Sequence, residues 1–419
     1  MATKNNLIQD EILTQIKPSA EEIKRFSQAA KEVIAKLNQY LPDAEAILGG
    51  SGAKDTWLRG SHDLDIFVQF NYVKYSSKSD QLSAKLGAVV KKAFPKTKIE
   101  TLHGSRDYFR LAYLGHNFEI VPILALKKIE QAKNITDISP LHSKWVNRQA
   151  KGLTDEIRLA KQFCKANNLY GAESYLSGFS GYVLEILVIH YGGFTKLLQA
   201  AVRWKPKEVV DTAKHYPKGK ALFNINKSKL QSPLIVVDPV DKSRNAAAAL
   251  SEEKFNLFKQ TVQSYLKKPS LNFFEHQEIA LEKLPWKTGR VIALKIIPLP
   301  GKRDVVGMKL VKAFNFIKSK LKQFGVKESG WEWNKEVFFF LVADKKERPK
   351  VEIRVGPLVS MNEFAADFKK KNKYTYVDKG RIYARVTVVK TALKEVVKDL
   401  IKDTYFKERV AKVEIITSF

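Results

Sequence analysis

The sequence predicts a multidomain α+β protein, and three observations carry that reading. Residues 1–137 alternate apolar strand-like runs with helical stretches, residues 138–268 are helical in pattern with one short extended passage, and residues 269–419 return to short strands set around amphipathic helices. At 419 residues the chain has length for two to four domains. Its 44 % hydrophobic content can fill a core, which excludes wholesale disorder.

Taken in order, Ser19 to Tyr40 reads as a helix, with Ser19 as N-cap and Ile23, Phe26, Ala30, Val33 and Leu37 at helical spacing. Ile47-Leu48-Gly49-Gly50-Ser51 reads as a strand running into a turn that enters a helix. Leu64 to Phe70 and Phe118 to Leu126 are apolar enough for buried strands, with helix-like Ser79 to Phe94 between them. Ser139-Pro140 marks a helix start, Ser as N-cap and Pro at the first helical position, where its missing N–H is no loss. Helical patterns continue to about Val202. Ser232 to Pro239 is extended, Ala246 to Leu250 helical, and Ser251 to Lys268 a helix ended by Pro269. Arg290 to Ile297 is a β-run, followed by a helix with Val306, Leu310, Phe314, Ile317 and Leu321 on one face, then strands Val337 to Ala343 and Val351 to Val355. This β-α-β-β order suggests a small sheet covered by helices on one side, as in RNA-recognition modules. Met361 to Lys369 is helical, Tyr374 to Val377 and Ile382 to Val388 are extended, and a helix from Leu393 to Ile401 closes the chain.

Charge narrows the function classes. The 73 Lys+Arg against 44 Asp+Glu leave a net +29, which favours a polyanionic partner. The longest apolar stretch, Gly181 to Phe194, is interrupted by Glu185 and His190 and is too short to span a bilayer. The first ten residues hold no apolar secretory core. Cys164 is the single cysteine, so an intrachain disulfide and a thiolate-rich metal cluster are both excluded. The expectation is a soluble, cytoplasmic, nucleic-acid-binding protein with no membrane partner.

The most informative passage runs from Gly50-Ser51-Gly52-Ala53-Lys54 to Asp63-Leu64-Asp65-Ile66. Side chains two apart on a strand share a face, so Asp63 and Asp65 project together while Leu64 and Ile66 face the core. Adjacent carboxylates repel unless a cation sits between them, and oxygen-only ligands favour Mg²⁺. Glu119, between Phe118 and Ile120, puts a third acid on a second apolar strand. Three such acids can hold two Mg²⁺ ions that activate an attacking hydroxyl and stabilise a leaving pyrophosphate. The Gly-Ser turn upstream offers backbone N–H groups to a triphosphate, and Lys54, one turn into the helix expected there, adds a charge. An isolated Asp-x-Asp or Gly-Ser carries little. The combination carries the reading.

These motifs resemble the nucleotidyltransferase superfamily typified by DNA polymerase beta. Over nearly the whole chain the sequence is similar to the archaeal-type (class I) CCA-adding enzymes, which are tRNA nucleotidyltransferases. The likeness is strongest from Gly50 to Phe67 and from Ser139 to Leu250. It implies a polymerase-beta-like head or palm over 1–137, a helical nucleotide-binding neck over 138–268, and an α/β body and tail that bind tRNA over 269–419. It places the two Mg²⁺ ions on Asp63, Asp65 and Glu119, where Glu119 stands in place of the family's usual Asp. It assigns Ser51, Lys54, Ser139, His142, Lys161 and Tyr170 to the incoming triphosphate. Read without the family, Lys161 is an ordinary helix lysine, Tyr170 a core tyrosine and His142 a helix-surface histidine. Gly178 and Gly181 read as packing or turn residues, and the apolar run after them as core without a catalytic role.

The resemblance also gives the base-reading role to Arg244, in Asp238-Pro239-Val240-Asp241-Lys242-Ser243-Arg244-Asn245. Cytosine and adenine present a ring-nitrogen acceptor beside an amine, whereas uracil and guanine present an N–H donor there. Arginine only donates, so it suits C or A. A phosphate-binding arginine without readout is the other option. The implied activity is template-independent addition of C, C and A to tRNA from CTP and ATP. Lys309, Lys312, Lys318, Lys320, Lys322 and the run Lys369 to Lys373 read as a phosphate-backbone footprint or as solvated helix faces, and the resemblance implies that body and tail hold the acceptor and T arms of tRNA. A homodimer stays open. The alternatives are an oligoadenylate synthase or poly(A) polymerase-like enzyme, and a catalytically dead RNA-binding relative.

Overall fold

The computed structural model describes residues 2–61, 63–217, 219–276, 281–334 and 336–416, and the chain divides into two compact units, 1–277 and 278–419. In the first unit, helix α1 (Ala2–Ile16) precedes α2 (Ala20–Asn38). The start of α2 is the expected one: Ser19 Oγ accepts from the Glu22 N–H and the Glu22 carboxylate accepts from the Ser19 N–H. Strands β1 (Ala44–Leu48), β2 (Asp63–Phe70), β3 (Ile99–Leu102), β4 (Tyr108–Tyr113) and β5 (His116–Leu124) form one mixed sheet in the order β1-β2-β5-β4-β3. Only the β2–β5 pair is parallel.

Helices α2 and α3 (Leu82–Ala93) cover one face of this sheet. Phe26, Val33 and Leu37 from α2 and Leu86 and Val90 from α3 pack with Leu64, Ile66, Phe118 and Ile120. That burial locks the phase of β2 and β5. Each such aliphatic side chain contributes roughly 1.5–3 kcal/mol on burial, and a one-residue slip would turn the whole set outward. Asp63, Asp65 and Glu119 are thereby directed to the opposite face. The β3–β4 hairpin and α1 were not anticipated. Glu100 and Thr101 interrupt the apolar pattern of β3, which is ordered by pairing on β4. In α1 the signal was present as Ile8, Ile12 and Ile16, which pack into the helical core of the same unit.

That core is built by α4 (Ser139–Gln149), α5 (Thr154–Ala166), α6 (Gly181–Tyr191), α7 (Phe194–Val202) and α8 (Glu252–Lys267), around Phe163, Leu184, Phe194, Phe258 and Tyr265. Two local expectations need correction. Ser139 is the first helical residue (φ −55°, ψ −40°) and not the N-cap, because a 3-10 turn, Ile135–Ile138, runs straight into α4. Capping occurs one turn earlier, where the Asn134 side chain accepts from the Thr136 N–H. Residues 246–250 form turns and not a helix. Asn245 Oδ1 accepts from the Val236 and Ala247 N–H groups at 2.9 and 3.0 Å, and this pinning to strand β7 (Leu234–Val236), the parallel partner of β6 (Glu208–Val210), outweighs the helix propensity of the alanines.

In the second unit β8 (Val291–Ile297), β9 (Val326–Trp333), β10 (Val337–Ala343) and β14 (Lys412–Ile416) form an antiparallel sheet in the order β14-β8-β10-β9. Helices α9 (Arg303–Lys320) and α11 (Leu393–Leu400) share a core with it. The β-α-β-β-α-β arrangement agrees with the expected class, but its membership differs. Val351–Val355 belongs to β11 (Val351–Leu358), which pairs with β13 (Arg381–Thr387) and, through it, β12 (Thr375–Asp378) in a separate sheet carrying α10 (Asn362–Lys371). The described chain therefore ends on a strand after the expected closing helix. β10 is apolar at every position and suits a central strand. β11 alternates Val351, Ile353 and Val355 with Glu352 and Arg354, and the three apolar side chains are exposed, while Phe368 of α10 packs on the other face at Gly356. Among the described residues no helix is long and apolar enough to cross a membrane.

Candidate active site

Parallel pairing of β2 and β5 puts Asp65 in register with Glu119 and Asp63 in register with Asn117. β4 adds Arg110 opposite Glu119. The three predicted acids therefore occupy neighbouring positions on one sheet face. Asn117 Nδ2 donates to Asp63 Oδ1 at 3.3 Å, and the Arg110 guanidinium donates to Glu119 Oε1. Burial and the Glu119 charge, aided by Asp63 and opposed by Lys54, push the Asp65 carboxyl up to about 6. A carboxylate so placed gains from an added cation.

The Gly-Ser turn closes directly over this face. The Gly49 N–H donates to the Asp65 carbonyl at 2.7 Å. Gly50 has φ +55°, and a Cβ there would lie 1.6 Å from Asp65 Oδ2, so only glycine fits. The expected helix after the turn does not form. Ala53 N–H reaches Gly49 O at 2.9 Å, but Thr56 N–H then returns to Ser51 O at 3.1 Å, and Asp55 takes a left-handed φ of 48°. Buried Arg158 fixes that bend by donating to Asp55 O at 2.7 Å and Trp57 O at 3.0 Å. Ser51 and Lys54 thus sit half-buried on a compact turn.

Lys54 Nζ donates to Glu185 Oε2 at 2.7 Å. Lys161 Nζ donates to Glu185 Oε1 and Thr56 Oγ1, each at 2.8 Å, and to Thr56 O at 3.1 Å. Thr56 Oγ1 donates to Glu185 Oε1 at 2.8 Å. Burial opposes ionisation of Glu185, but Lys161 and Lys54 outweigh it and hold the carboxyl at about 2.

A second cluster surrounds buried Asp238. Arg244 Nη1 donates to Asp238 Oδ2 at 2.7 Å, and Tyr182 OH donates to Oδ1 at 3.0 Å. His142 Nε2 lies 3.0 Å from Oδ2. The His142 and Tyr182 rings stack at 4.1 Å, and Lys54 Nζ stands 5.9 Å from the Tyr182 ring centre. His142, Arg244 and the backbone N–H of Val240 hold the Asp238 carboxyl well below the usual carboxylate range despite its burial.

The structure therefore brings Lys54, Lys161, His142 and Arg244 into a connected set beside the acids. Tyr170 is largely buried, pairs with Phe179 in an isolated bridge, and carries Lys165 Nζ 5.2 Å over its ring. Ser139 is half-buried at the start of α4. Sequence reading passed over Glu185, Asp238, Tyr182 and Arg110 as site residues. For Glu185 a signal existed: a lone acid inside an apolar helix has to be paired.

The donor set on β2 and β5 is all oxygen, Asp65 is raised by its neighbours, and Gly50 leaves room above it. These features fit a hard divalent cation. Arg110 competes for Glu119, and among the described residues no three acids, histidines or cysteines are gathered as a ready metal cage.

Fold and site together define a nucleotidyltransferase of the polymerase-beta-like class. Residues 155–275 match the model for tRNA nucleotidyltransferase, second domain, and residues 1–159 match that for a Second Messenger Oligonucleotide or Dinucleotide Synthetase domain. The chain is 36 % identical over 375 residues to the CCA-adding enzyme of Nanoarchaeum equitans, covering 88 % of this chain and 90 % of that one. It is 31 % identical over 418 residues to the CCA-adding enzyme of Thermococcus gammatolerans, covering 96 % and 89 %. The fold is similar to that of a cytoplasmic RNA terminal U-transferase (TM-score 0.50, 16 % identity, 66 % of this chain and 99 % of that). It is similar also to the Cid1 poly(U) polymerase bound to MgATP (TM-score 0.51, 15 % identity, 64 % and 98 %). The chain belongs to the archaeal-type CCA-adding enzyme family.

Proposed function

We propose that this chain adds C, C and A to the 3′ end of tRNA from CTP and ATP, without a template, on the acid face of β2 and β5. The observation that carries the reading is the register of Asp65 with Glu119, beside Asp63. Two Mg²⁺ ions held by Asp63, Asp65 and Glu119 supply, when bound, Lewis acidity at the attacking and leaving oxygens. Arg110, which donates to Glu119 Oε1, would have to release it for Glu119 to join that set. Lys54 and the turn at Ser51 hold the triphosphate, with Ser139, His142 and Tyr170 along its path. Arg244 reads the base. Asp238 takes one of its N–H groups and leaves others for the ring nitrogen of C or A. A donor facing a donor rejects U and G. The excess of basic residues serves the tRNA backbone, with affinity falling steeply as salt rises.

The test is incubation with radiolabelled CTP and ATP and a tRNA ending at its discriminator base, with and without Mg²⁺. The expected product is extended by C, C and A only with the metal present. Transfer of ATP alone, or none of either nucleotide, would overturn the reading.

A further inference from the structure

We propose that Arg110 is a counter-ion with two seats: it holds Glu119 in the metal-free protein, and it passes to Glu100 on β3 when a divalent cation takes Glu119. The ease of that exchange sets the cation concentration at which the acid face fills. The inference rests on the reading that Asp63, Asp65 and Glu119 hold divalent metal.

Strand register puts four ionisable side chains in one row. Asp65 on β2 pairs with Glu119 on β5, Glu119 with Arg110 on β4, and Arg110 with Glu100 on β3. Leu111 and Phe118, one position along, are buried against the helices, which turns the row to the other face of the sheet. Residues directly opposite on antiparallel strands share a face, with Cβ atoms about 4.5–5.5 Å apart. Arg110 therefore has a carboxylate within reach on either side, Glu119 and Glu100.

The contact with Glu119 is one that can be given up. Arg110 donates through a single nitrogen, Nη2, to Glu119 Oε1, and its buried Nε has no hydrogen-bond partner among the described residues. A bidentate fork would hold more firmly. The Arg110 and Glu119 side chains are 42 % and 24 % exposed. A pair so open to solvent is worth up to about fivefold in an equilibrium constant. The second seat is accessible, since Glu100 is exposed and has a loose partner in Lys98 Nζ at 3.5 Å. A guanidinium repels a dication on the same carboxylate. A cation on Glu119 therefore drives Arg110 away, and Glu100 receives the charge that would otherwise stand uncompensated.

The experiment is equilibrium binding of Mn²⁺ to the full chain, with free Mn²⁺ read from its paramagnetic resonance signal, and thermal unfolding with and without the ion. Arg110→Met is expected to tighten Mn²⁺ roughly fivefold, since the ion no longer displaces a competitor. Its Tm should fall below wild type without Mn²⁺ and approach it with Mn²⁺ in excess. Weaker binding would overturn the exchange, because Arg110 would then be orienting Glu119 for the ion, and unchanged binding would overturn it too. Glu100→Gln is expected to weaken Mn²⁺ about threefold by removing the second seat. On the Arg110→Met background the same change should stay within about 1.5-fold at 0.1 M salt, where the bare charge of Glu100 is screened. Equal losses in the two backgrounds, or no loss in either, would overturn the second seat. Glu100 is exposed, so its variant tests the proposal even where Arg110→Met does not fold. Absent Mn²⁺ binding, or binding that Asp65→Asn leaves unchanged, would fail the reading of the acid face itself and not the exchange alone.

Discussion

Asp65 and Glu185 are carboxylates shielded from solvent within the same unit, yet their surroundings drive them in opposite directions. Burial and two acidic neighbours raise Asp65 to about 6, with Lys54 as the weaker opposing influence. Burial acts on Glu185 as well, but two lysines reverse it and bring the carboxyl to about 2. The face of β2 and β5 gathers acids with Lys54 and Arg110 as the nearby cations, whereas the Glu185 cluster carries two lysines bonded to one carboxylate. Asp238, with Arg244 and His142 attached, follows the second pattern.

The sharpest way to break this contrast is to remove charge where cations are recruited. Asp65→Asn should lower nucleotide transfer by well over the roughly 100-fold typical of losing an outer-shell partner. Filter binding of tRNA should stay within about twofold if basic residues outside this face hold the phosphate backbone, as proposed. Equal loss of both would erase the distinction between a catalytic face and a binding surface.

A smaller effect is expected where the cation is built in. Arg244→Ala should reduce the preference for CTP over UTP by about 100-fold, read as the ratio of kcat/KM values, since the unpaired donor that rejects U is gone. An unchanged ratio would leave Arg244 a phosphate or structural contact.

The smallest effect is the difference in pH response. Asp65 in the fold is raised above its ordinary value, so the stability from its protonated form is present at acid pH and lost as pH rises through about 6. A Mg²⁺ ion bound at Asp65 would replace that proton. It should therefore raise Tm by a few degrees near neutral pH, by less at about pH 5, and not at all in Asp65→Asn. Glu185 is depressed, so its contribution is present above the ordinary carboxylate value and lost as pH falls towards about 2. An acid series of Tm values should show that loss in the wild type and a flatter limb in Glu185→Gln. Parallel limbs would mean that the lysines do not stabilise the ionised form.

Much of the architecture was legible because it is local. Ser19 and Glu22 three residues apart specify the start of α2, and the alternation in Asp63-Leu64-Asp65-Ile66 specifies which side chains share a face. The errors fell where a distant partner decides. Asn245 turns an alanine run away from helix by pinning it to β7. Arg158 holds Asp55 left-handed and so ends the helix expected after Ser51. Val351 to Leu358 leaves the larger sheet, whose edge is completed instead by a strand from the end of the described chain.

The amino-acid order by itself determined that Asp63 and Asp65 point together and that Glu119 lies on an apolar strand, because side-chain alternation is a property of each strand alone. Only the tertiary structure decided that Glu119 stands beside Asp65 with Arg110 opposite, and that Glu185 binds both Lys54 and Lys161. Strand register and the partner of a buried charge are set by segments far apart in the chain, through the burial of apolar faces and the cost of an unpaired ion, and neither leaves a periodic trace in the sequence.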